Sequence, residues 1–285
     1  MDRRQTLALS IGLLGCGAPP SVRIGAKNFT EQDILGALLG EAVQRFGKLP
    51  VNLKLHLGGS LIAHSALVAG DLDLYPEYSA TALTACLKLP LEKDPQRVFD
   101  AVKRTYAQRH QVEWGWPLGF SNNFAMVIRA DYPCGETLSS AVKSGPWRLG
   151  VGYEFEQRAD GWMAMREVYP LSLNGNLRTM DLGLLFRALD AGEVDMIAAN
   201  STDPQLASGR YRLLKDDKQF WAPYQACLAV REDALARWPQ LKRALDALAG
   251  KIDEGTMRKL NSAVVLDRRT AESVAHDFAV QIWGN

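Results

Sequence analysis

The sequence has little of what catalysis or metal binding requires. It contains four histidines and four cysteines among 285 residues, and none of them forms a His-Glu-x-x-His or Cys-x-x-Cys pattern. It also lacks a Gly-x-Ser-x-Gly elbow, a P-loop and a Gly-x-Gly-x-x-Gly fingerprint. Because no nucleophile and base can be named, we predict a binding protein that is not an enzyme and that uses no metal or cofactor.

The chain also lacks an excess of charge of one sign. It has 33 lysines and arginines against 32 aspartates and glutamates, which gives a formal net charge of +1. A nucleic-acid-binding protein normally carries a basic surface, so we predict no nucleic-acid partner. With 47% hydrophobic and 23% charged residues, the composition is that of a soluble globular protein, and the length is sufficient for two domains. We expect a monomer.

Cysteine is too sparse for a disulfide framework. Cys86, Cys134 and Cys227 lie far apart in the chain, and three cysteines cannot all pair with one another. We interpret them as mostly buried apolar residues, while a bridge between Cys134 and Cys227 stays open.

The apolar runs of the sequence are short, and the one that predicts a targeting signal lies at the N-terminus. Arg3 and Arg4 precede an apolar run over residues 7–14, which is too short to span a bilayer. The run ends in LLGC, whose last residue is Cys16. This pattern predicts a signal peptide over residues 1–15 and lipidation of Cys16. The mature protein is therefore expected to be extracytoplasmic and anchored to the membrane through lipid. The arginine pair leaves the choice between general and twin-arginine export open.

Two pairs of motifs repeat along the chain at a nearly constant distance. ALVAGDLDLYPEYSAT at residues 66–81 matches ALDAGEVDMIAANSTD at 188–203, and VRIGAKNFTEQ at 22–32 matches WRLGVGYEFEQ at 147–157. Each motif places a short apolar strand beside a helix, which is typical of βαβ units. The repetition predicts two α/β lobes of similar plan, with the ends of their strands facing one ligand.

Two segments are predicted to carry the chain between these lobes. A crossing near residue 122 and a second near residue 226 divide the mature chain. Lobe I then comprises residues 16–122 and 226–285, and lobe II comprises residues 123–225. The two crossings together predict a hinge.

Several longer motifs make the chain resemble a known family. These motifs are KNFTEQ (27–32), DLDLYPEYSAT (71–81), FSNNFAM (120–126), EFEQRADG (154–161) and LKDDKQFWAPYQA (214–226). They resemble, in order, those of the substrate-binding lipoproteins of osmoprotectant ABC importers, which take up glycine betaine, choline, carnitine and related quaternary amines. The resemblance implies a two-lobed α/β fold of the type II periplasmic-binding-protein class, with two hinge crossings. It also implies an ABC permease with its ATPase as a partner.

The resemblance further implies a site for a quaternary ammonium. Such a cation has no N–H group, so it is recognised by charge and shape, and aromatic ring faces supply both. The family holds it in a cage of tyrosines, while basic and hydroxyl residues hold the carboxylate of a betaine. Carried over by motif, the cage residues are Tyr78, Phe124, Asn200 and Tyr224, and the carboxylate residues are Lys27, Thr81 and Arg158.

Ordinary structural interpretations of these residues stay open from the sequence. Tyr78 could pack on the core at the start of a helix. Lys27 could be a solvated loop charge, and Arg158 could pair with Asp160 at the surface.

Asn200 stands where the family has an aromatic residue, and this departure bears on the ligand. Loss of one ring weakens the cage by roughly tenfold in affinity, unless Trp162 or Trp221 replaces it. Retention of Lys27 and Arg158 favours a carboxylated betaine such as glycine betaine. Another betaine, such as ergothioneine, is the alternative, because the amide of Asn200 can contact a polar group. A ligand-sensing role instead of transport also stays open.

Overall fold

Helices and strands alternate along the chain, as the repeated patterns predict. The computed structural model describes residues 20–221 and 224–284, so the predicted signal peptide and Cys16 lie outside the described residues. The strands are β1 Val22–Gly25, β2 Val51–Lys54, β3 Leu74–Tyr78, β4 Val112–Gly115, β5 Phe124–Arg129, β6 Leu149–Val151, β7 Arg178–Thr179, β8 Met196–Asn200, β9 Tyr211–Leu213 and β10 Ala226–Arg231. The helices are α1 Thr30–Ala42, α2 Ser60–Ala69, α3 Ser79–Thr81, α4 Pro95–His110, α5 Leu138–Ser144, α6 Tyr153–Gln157, α7 Trp162–Val168, α8 Leu182–Asp190, α9 Glu232–Arg237, α10 Leu241–Leu248, α11 Glu254–Val265 and α12 Ala271–Trp283.

The first sheet has the strand order β2-β1-β3-β10-β4. Strand β1 lies parallel to β2 and β3, while β10 runs antiparallel between β3 and β4. Helix α1 packs on this lobe and is also contacted by α10, α11 and α12. Its residues Ile34, Leu35, Leu38 and Leu39 are therefore fully buried. Burial on several sides explains why apolar and small residues dominate this helix.

The second sheet repeats the plan of the first, with the order β7-β6-β8-β5-β9. Strand β6 is parallel to β7 and β8, and β5 runs antiparallel between β8 and β9. The chain enters this sheet at β5 and returns to the first sheet at β10, so it passes between the sheets twice. The lobe boundaries at residues 122–123 and 225–226 stay a prediction.

The repeated motifs form the same contacts in both halves. Arg23 donates to Asp73 from its backbone nitrogen and through Nε and Nη2, the last at 2.6 Å. Arg148 donates to Asp195 through the same three nitrogens, with Nε at 2.9 Å. Arg23 lies in β1, and Arg148 directly precedes β6. Their partners, Asp73 and Asp195, directly precede β3 and β8. The repeats in the sequence therefore encode a repeated three-dimensional unit.

The two crossings are held by equivalent serines. The backbone nitrogen of Gln225 donates to Ser79 Oγ at 3.1 Å, and that of Asn123 donates to Ser201 Oγ at 3.0 Å. The serine backbone nitrogens donate in return to the carbonyl oxygens of Gln225 and Asn123. Because these serines follow β3 and β8, each crossing is fixed to the end of a central strand.

Cys86, Cys134 and Cys227 are all free thiols. Cys86 and Cys227 are buried as predicted, while Cys134 is half-buried. The bridge considered between Cys134 and Cys227 is not formed, because Cys227 belongs to the first lobe's apolar core and Cys134 packs on the second. Within residues 20–221 and 224–284, no helix is both long and apolar enough to cross a membrane.

Candidate ligand-binding site

One cavity of about 650 Å³ opens between the two sheets, a volume within the range of small-molecule sites. It lies where β3 and β8 end and where the chain enters β5 and β10, so both lobes contribute to its wall. All seven residues predicted for the site line this cavity: Lys27, Tyr78, Thr81, Phe124, Arg158, Asn200 and Tyr224.

Aromatic rings form much of the cavity wall. Phe124 packs edge-on against Tyr224 with their centroids 5.7 Å apart, and Phe29 stacks on Tyr78 at 6.4 Å. Tyr78 and Tyr224 are 4% and 3% exposed, so their faces are largely shielded from bulk solvent. Phe29 was not predicted as a site residue, although it lies within the KNFTEQ motif. The wall thus has an additional ring beside Tyr78.

The two tryptophans considered as replacements for the missing aromatic do not serve that role. Neither Trp162 nor Trp221 is among the described residues that line the cavity. Trp162 is buried in the core of the second lobe, and Trp221 donates from its indole to the carbonyl oxygen of Asp160 at 3.0 Å. Asn200 ends β8 directly opposite Phe124 in the strand register. At this position the cavity wall is therefore formed by an amide group instead of an aromatic ring.

Lys27 is buried and not a solvated loop charge. It is 3% exposed, and its Nζ lies 2.5 Å from Glu77 Oε1. The same ammonium lies 4.6 Å from the ring centroid of Tyr78 and 5.6 Å from that of Phe29. A buried cation requires such partners, because removal of its water is otherwise costly. The positive charge of Lys27 in the cavity is therefore already balanced by the carboxylate of Glu77.

Arg158 combines both interpretations considered from the sequence, since it pairs with Asp160 and also lines the cavity. Its Nε and Nη2 donate to Asp160 at 2.8 and 2.6 Å, and its Nη1 donates to Thr81 Oγ1 at 2.9 Å. The guanidinium carbon lies 5.0 and 5.6 Å from the ring centroids of Phe124 and Tyr224. Burial lowers the pKa of Arg158, but Asp160, Tyr224 and Glu154 together raise it above its ordinary value, so the guanidinium stays charged.

Glu154 of the second lobe reaches across the cavity to the first. Its Oε1 accepts from the backbone nitrogen of Ser60 at 2.7 Å, and its Oε2 lies 3.5 Å from Arg158 Nη1. Ser60 begins α2, where unpaired backbone N–H groups favour a negative charge. Burial raises the pKa of Glu154, but Lys27, Arg158 and the hydrogen bonds from Ser60 together lower it below its ordinary value. This carboxylate is therefore ionised and joins the two lobes.

The carboxyl groups of Glu31 and Asp203 also line the cavity, and neither forms an ion pair with another described residue. Glu31 accepts from the hydroxyl of Tyr78 at 2.5 Å and from the side-chain amides of Asn122 and Asn261 at 2.9 and 3.0 Å. Burial raises its pKa. Asp203 accepts from the backbone nitrogen of Asn200 at 2.9 Å, and burial raises its pKa to about 7. The polar end of the cavity is thus rich in acceptors.

The charged lining of the cavity is mainly acidic. The described lining contains one lysine and one arginine against five carboxyl residues, which are Glu31, Asp33, Glu154, Asp181 and Asp203. The resemblance pointed to the basic residues and missed the acids. Glu31 and Glu154 do lie within the quoted motifs, and the need of a buried cation for a partner was a usable signal. The arrangement favours a ligand that carries positive charge.

Two sheets of the same strand order, joined by two crossings around one cavity, define a two-lobed ligand-binding protein. Residues 20–281 match the family described as the substrate binding domain of ABC-type glycine betaine transport systems, and the chain belongs to this family. The predicted resemblance is therefore confirmed. Because the family consists of binding domains of transport systems, the prediction that the protein is not an enzyme is also confirmed.

Individual relatives agree with the family. The chain is 30% identical over 271 residues to the carnitine transport binding protein OpuCC of Listeria monocytogenes, covering 93% of this chain and 88% of that protein. It is 30% identical over 260 residues to the ergothioneine transport permease/ergothioneine binding protein EgtU of Helicobacter pylori, covering 90% of this chain and 46% of that protein. A crystal structure of a glycine betaine/carnitine/choline ABC transporter matches with a TM-score of 0.76 and 30% identity, covering 91% of this chain and 98% of that chain. The type II periplasmic-binding-protein fold is thereby confirmed.

Proposed function

We propose that the protein captures a small quaternary ammonium compound in this cavity and delivers it to the permease and ATPase of an ABC importer. One observation carries the proposal: aromatic rings and a surplus of carboxyl groups line the same cavity. A quaternary ammonium cannot donate a hydrogen bond, so ring faces and negative potential are the means of holding it. The names of OpuCC and of the matching crystal structure support this class of ligand.

Within this class, a carboxylated betaine such as glycine betaine is our first candidate. In the cavity wall, Arg158 Nη1 lies 2.9 Å from Thr81 Oγ1 and 3.5 Å from Glu154 Oε2. In this proposal, the ligand carboxylate takes the position next to Arg158 that Glu154 occupies in the structure. Glu154→Gln should therefore strengthen binding of glycine betaine relative to choline, because it removes a competing negative charge. An equal effect on both ligands would exclude this placement of the carboxylate.

Ergothioneine is the second candidate, and Asn200 is the observation that favours it. The amide of Asn200 lines the cavity in place of a ring and offers both a donor and an acceptor. The relative EgtU is named as an ergothioneine-binding protein. Calorimetric competition between ergothioneine and glycine betaine would rank the two candidates.

The same proposal places the protein outside the cytoplasmic membrane, as a monomer held by lipid on Cys16. Cys16 lies in the predicted lipobox LLGC. Metabolic labelling with a palmitate analogue should mark the wild type and should not mark the Cys16→Ser variant. That variant should also be absent from the membrane fraction. Labelling of Cys16→Ser would refute the anchor.

Calorimetric titration with glycine betaine, carnitine, choline and ergothioneine tests the proposed ligand class. We expect micromolar or tighter binding of at least one of them. Tyr224→Ala should weaken it by about tenfold or more, because it removes a ring of the cavity wall. Tyr132→Ala is the matched control, since Tyr132 packs on Trp147 away from the cavity. Failure of the folded wild type to bind any of the four ligands would refute the proposed function.

A further inference from the structure

The carboxyl groups of Glu31 and Asp203 differ from those of Glu77 and Asp160 in their charge balance. Glu77 faces Lys27, and Asp160 faces Arg158. Within the described chain, no lysine, arginine or histidine forms an ion pair with Glu31 or Asp203. Glu31 is only 2% exposed, and its hydrogen-bond donors, which belong to Tyr78, Asn122, Asn261 and Thr202, are all neutral. This part of the cavity therefore holds two acidic groups to which the described residues offer no counter-charge.

Two buried amides beside Glu31 add unpaired acceptors. Because a carboxylate accepts only, Asn122 and Asn261 each turn their NH₂ group toward Glu31. Their Oδ1 atoms are buried and have no hydrogen-bond partner in the part of the chain that the structure describes, and the residues are 6% and 4% exposed. Both residues line the cavity. Buried amide oxygens are normally hydrogen-bonded, so these two atoms indicate donors supplied by the ligand.

We propose that Glu31, Asp203, Asn122 and Asn261 form a subsite that accepts hydrogen bonds from an N–H-bearing group of the ligand. This subsite deepens the proposed function, on which it rests, because the aromatic rings would hold the quaternary ammonium of the same molecule. Tyr78 joins the two parts, since its ring lines the cavity and its hydroxyl bonds to Glu31.

The number of acceptors favours nitrogen over a hydroxyl as the donor. Two unpaired amide oxygens lie on different segments, and a hydroxyl has a single proton to offer. A primary ammonium brings three N–H groups and an imidazolium brings two, and both carry positive charge. Within the proposed class of ligands, the subsite therefore favours a quaternary ammonium compound with a second, N–H-bearing group at its other end over glycine betaine, which has no N–H group.

A series of compounds of one shape tests this subsite by calorimetry on the mature protein. The compounds are 2-aminoethyl-trimethylammonium, choline and propyl-trimethylammonium, which end in NH₃⁺, OH and CH₃. We expect the amine to bind more tightly than the propyl compound by a factor of about ten or more, and choline to bind with an intermediate affinity. Trimethylhistidine and trimethylphenylalanine form a longer pair, in which the imidazole compound should bind more tightly. Absence of a preference in both pairs would overturn the inference.

Variants locate the preference in the proposed subsite. Glu31→Gln should reduce binding of the amine far more than binding of the propyl compound, because it removes negative charge and keeps the shape. Asn261→Leu serves as a second variant if Glu31→Gln does not fold, and thermal unfolding checks both. If either folded variant weakens both compounds equally, the subsite is refuted while the aromatic cage stands. If the wild type binds no member of either series, and none of the four ligands titrated above, the proposed function itself fails.

Discussion

The buried pair of Arg158 and Asp160 permits a sharp prediction about stability. Asp160 is fully buried and accepts from Nε and Nη2 of Arg158 and from the hydroxyl of Tyr224 at 2.5 Å. Arg158→Met keeps most of the side-chain volume and removes the guanidinium, so Asp160 is left as a buried charge with one donor. Loss of one partner of a buried pair costs about 3–5 kcal/mol of unfolding free energy.

The double variant Arg158→Met/Asp160→Asn should recover much of this loss, because it removes the unpaired charge together with its partner. Urea denaturation at neutral pH measures both free energies. The matched control is Arg148→Met, which breaks the Arg148–Asp195 pair of similar geometry but with side chains 38% and 15% exposed. Exposure should limit that cost to about 1 kcal/mol. If Arg158→Met costs no more than Arg148→Met, or if the double variant equals the sum of its single variants, the reasoning is wrong.

Three other predictions follow from the site. The raised pKa of Asp203, about 7 against an ordinary 3.8, means that its contribution to stability is present at low pH and lost as pH rises through about 7. Asp203→Asn should therefore flatten the fall in melting temperature between pH 5 and pH 8, and an unchanged profile would contradict this. Gly59→Ala places a Cβ 2.6 Å from Glu154 Oε1, so it should weaken the contact between the lobes and increase the radius of gyration measured by X-ray scattering. Gly161→Ala places a Cβ against a backbone carbonyl oxygen of α6 and should lower the melting temperature, whereas Gly183→Ala, with open space around it, should not.

The architecture and much of the cavity wall could be predicted from the sequence. The matched motifs carry Arg23 with Asp73 and Arg148 with Asp195, and these pairs recur at the same positions of two sheets of one strand order. Tyr78 lies at the end of its strand, as expected for a ligand-contacting residue in an α/β fold. Periodicity and motif order carry this information because they report local structure and its repetition.

The partners of the buried charges were decided by the tertiary structure alone. Lys27 meets Glu77, which lies 50 residues away, and Glu154 meets Ser60, which lies 94 residues away. Local patterns do not specify such pairs. The first depends on the folding of the first lobe and the second on the approach of the two lobes, and in both the burial of a charge without a partner is costly. For the same reason the sequence pointed to the basic residues of the site. Only the fold placed Glu31 in the cavity, where no described basic residue forms an ion pair with it. The sequence alone determined the class of protein, while the assembled cavity decided the charge that a ligand must bring.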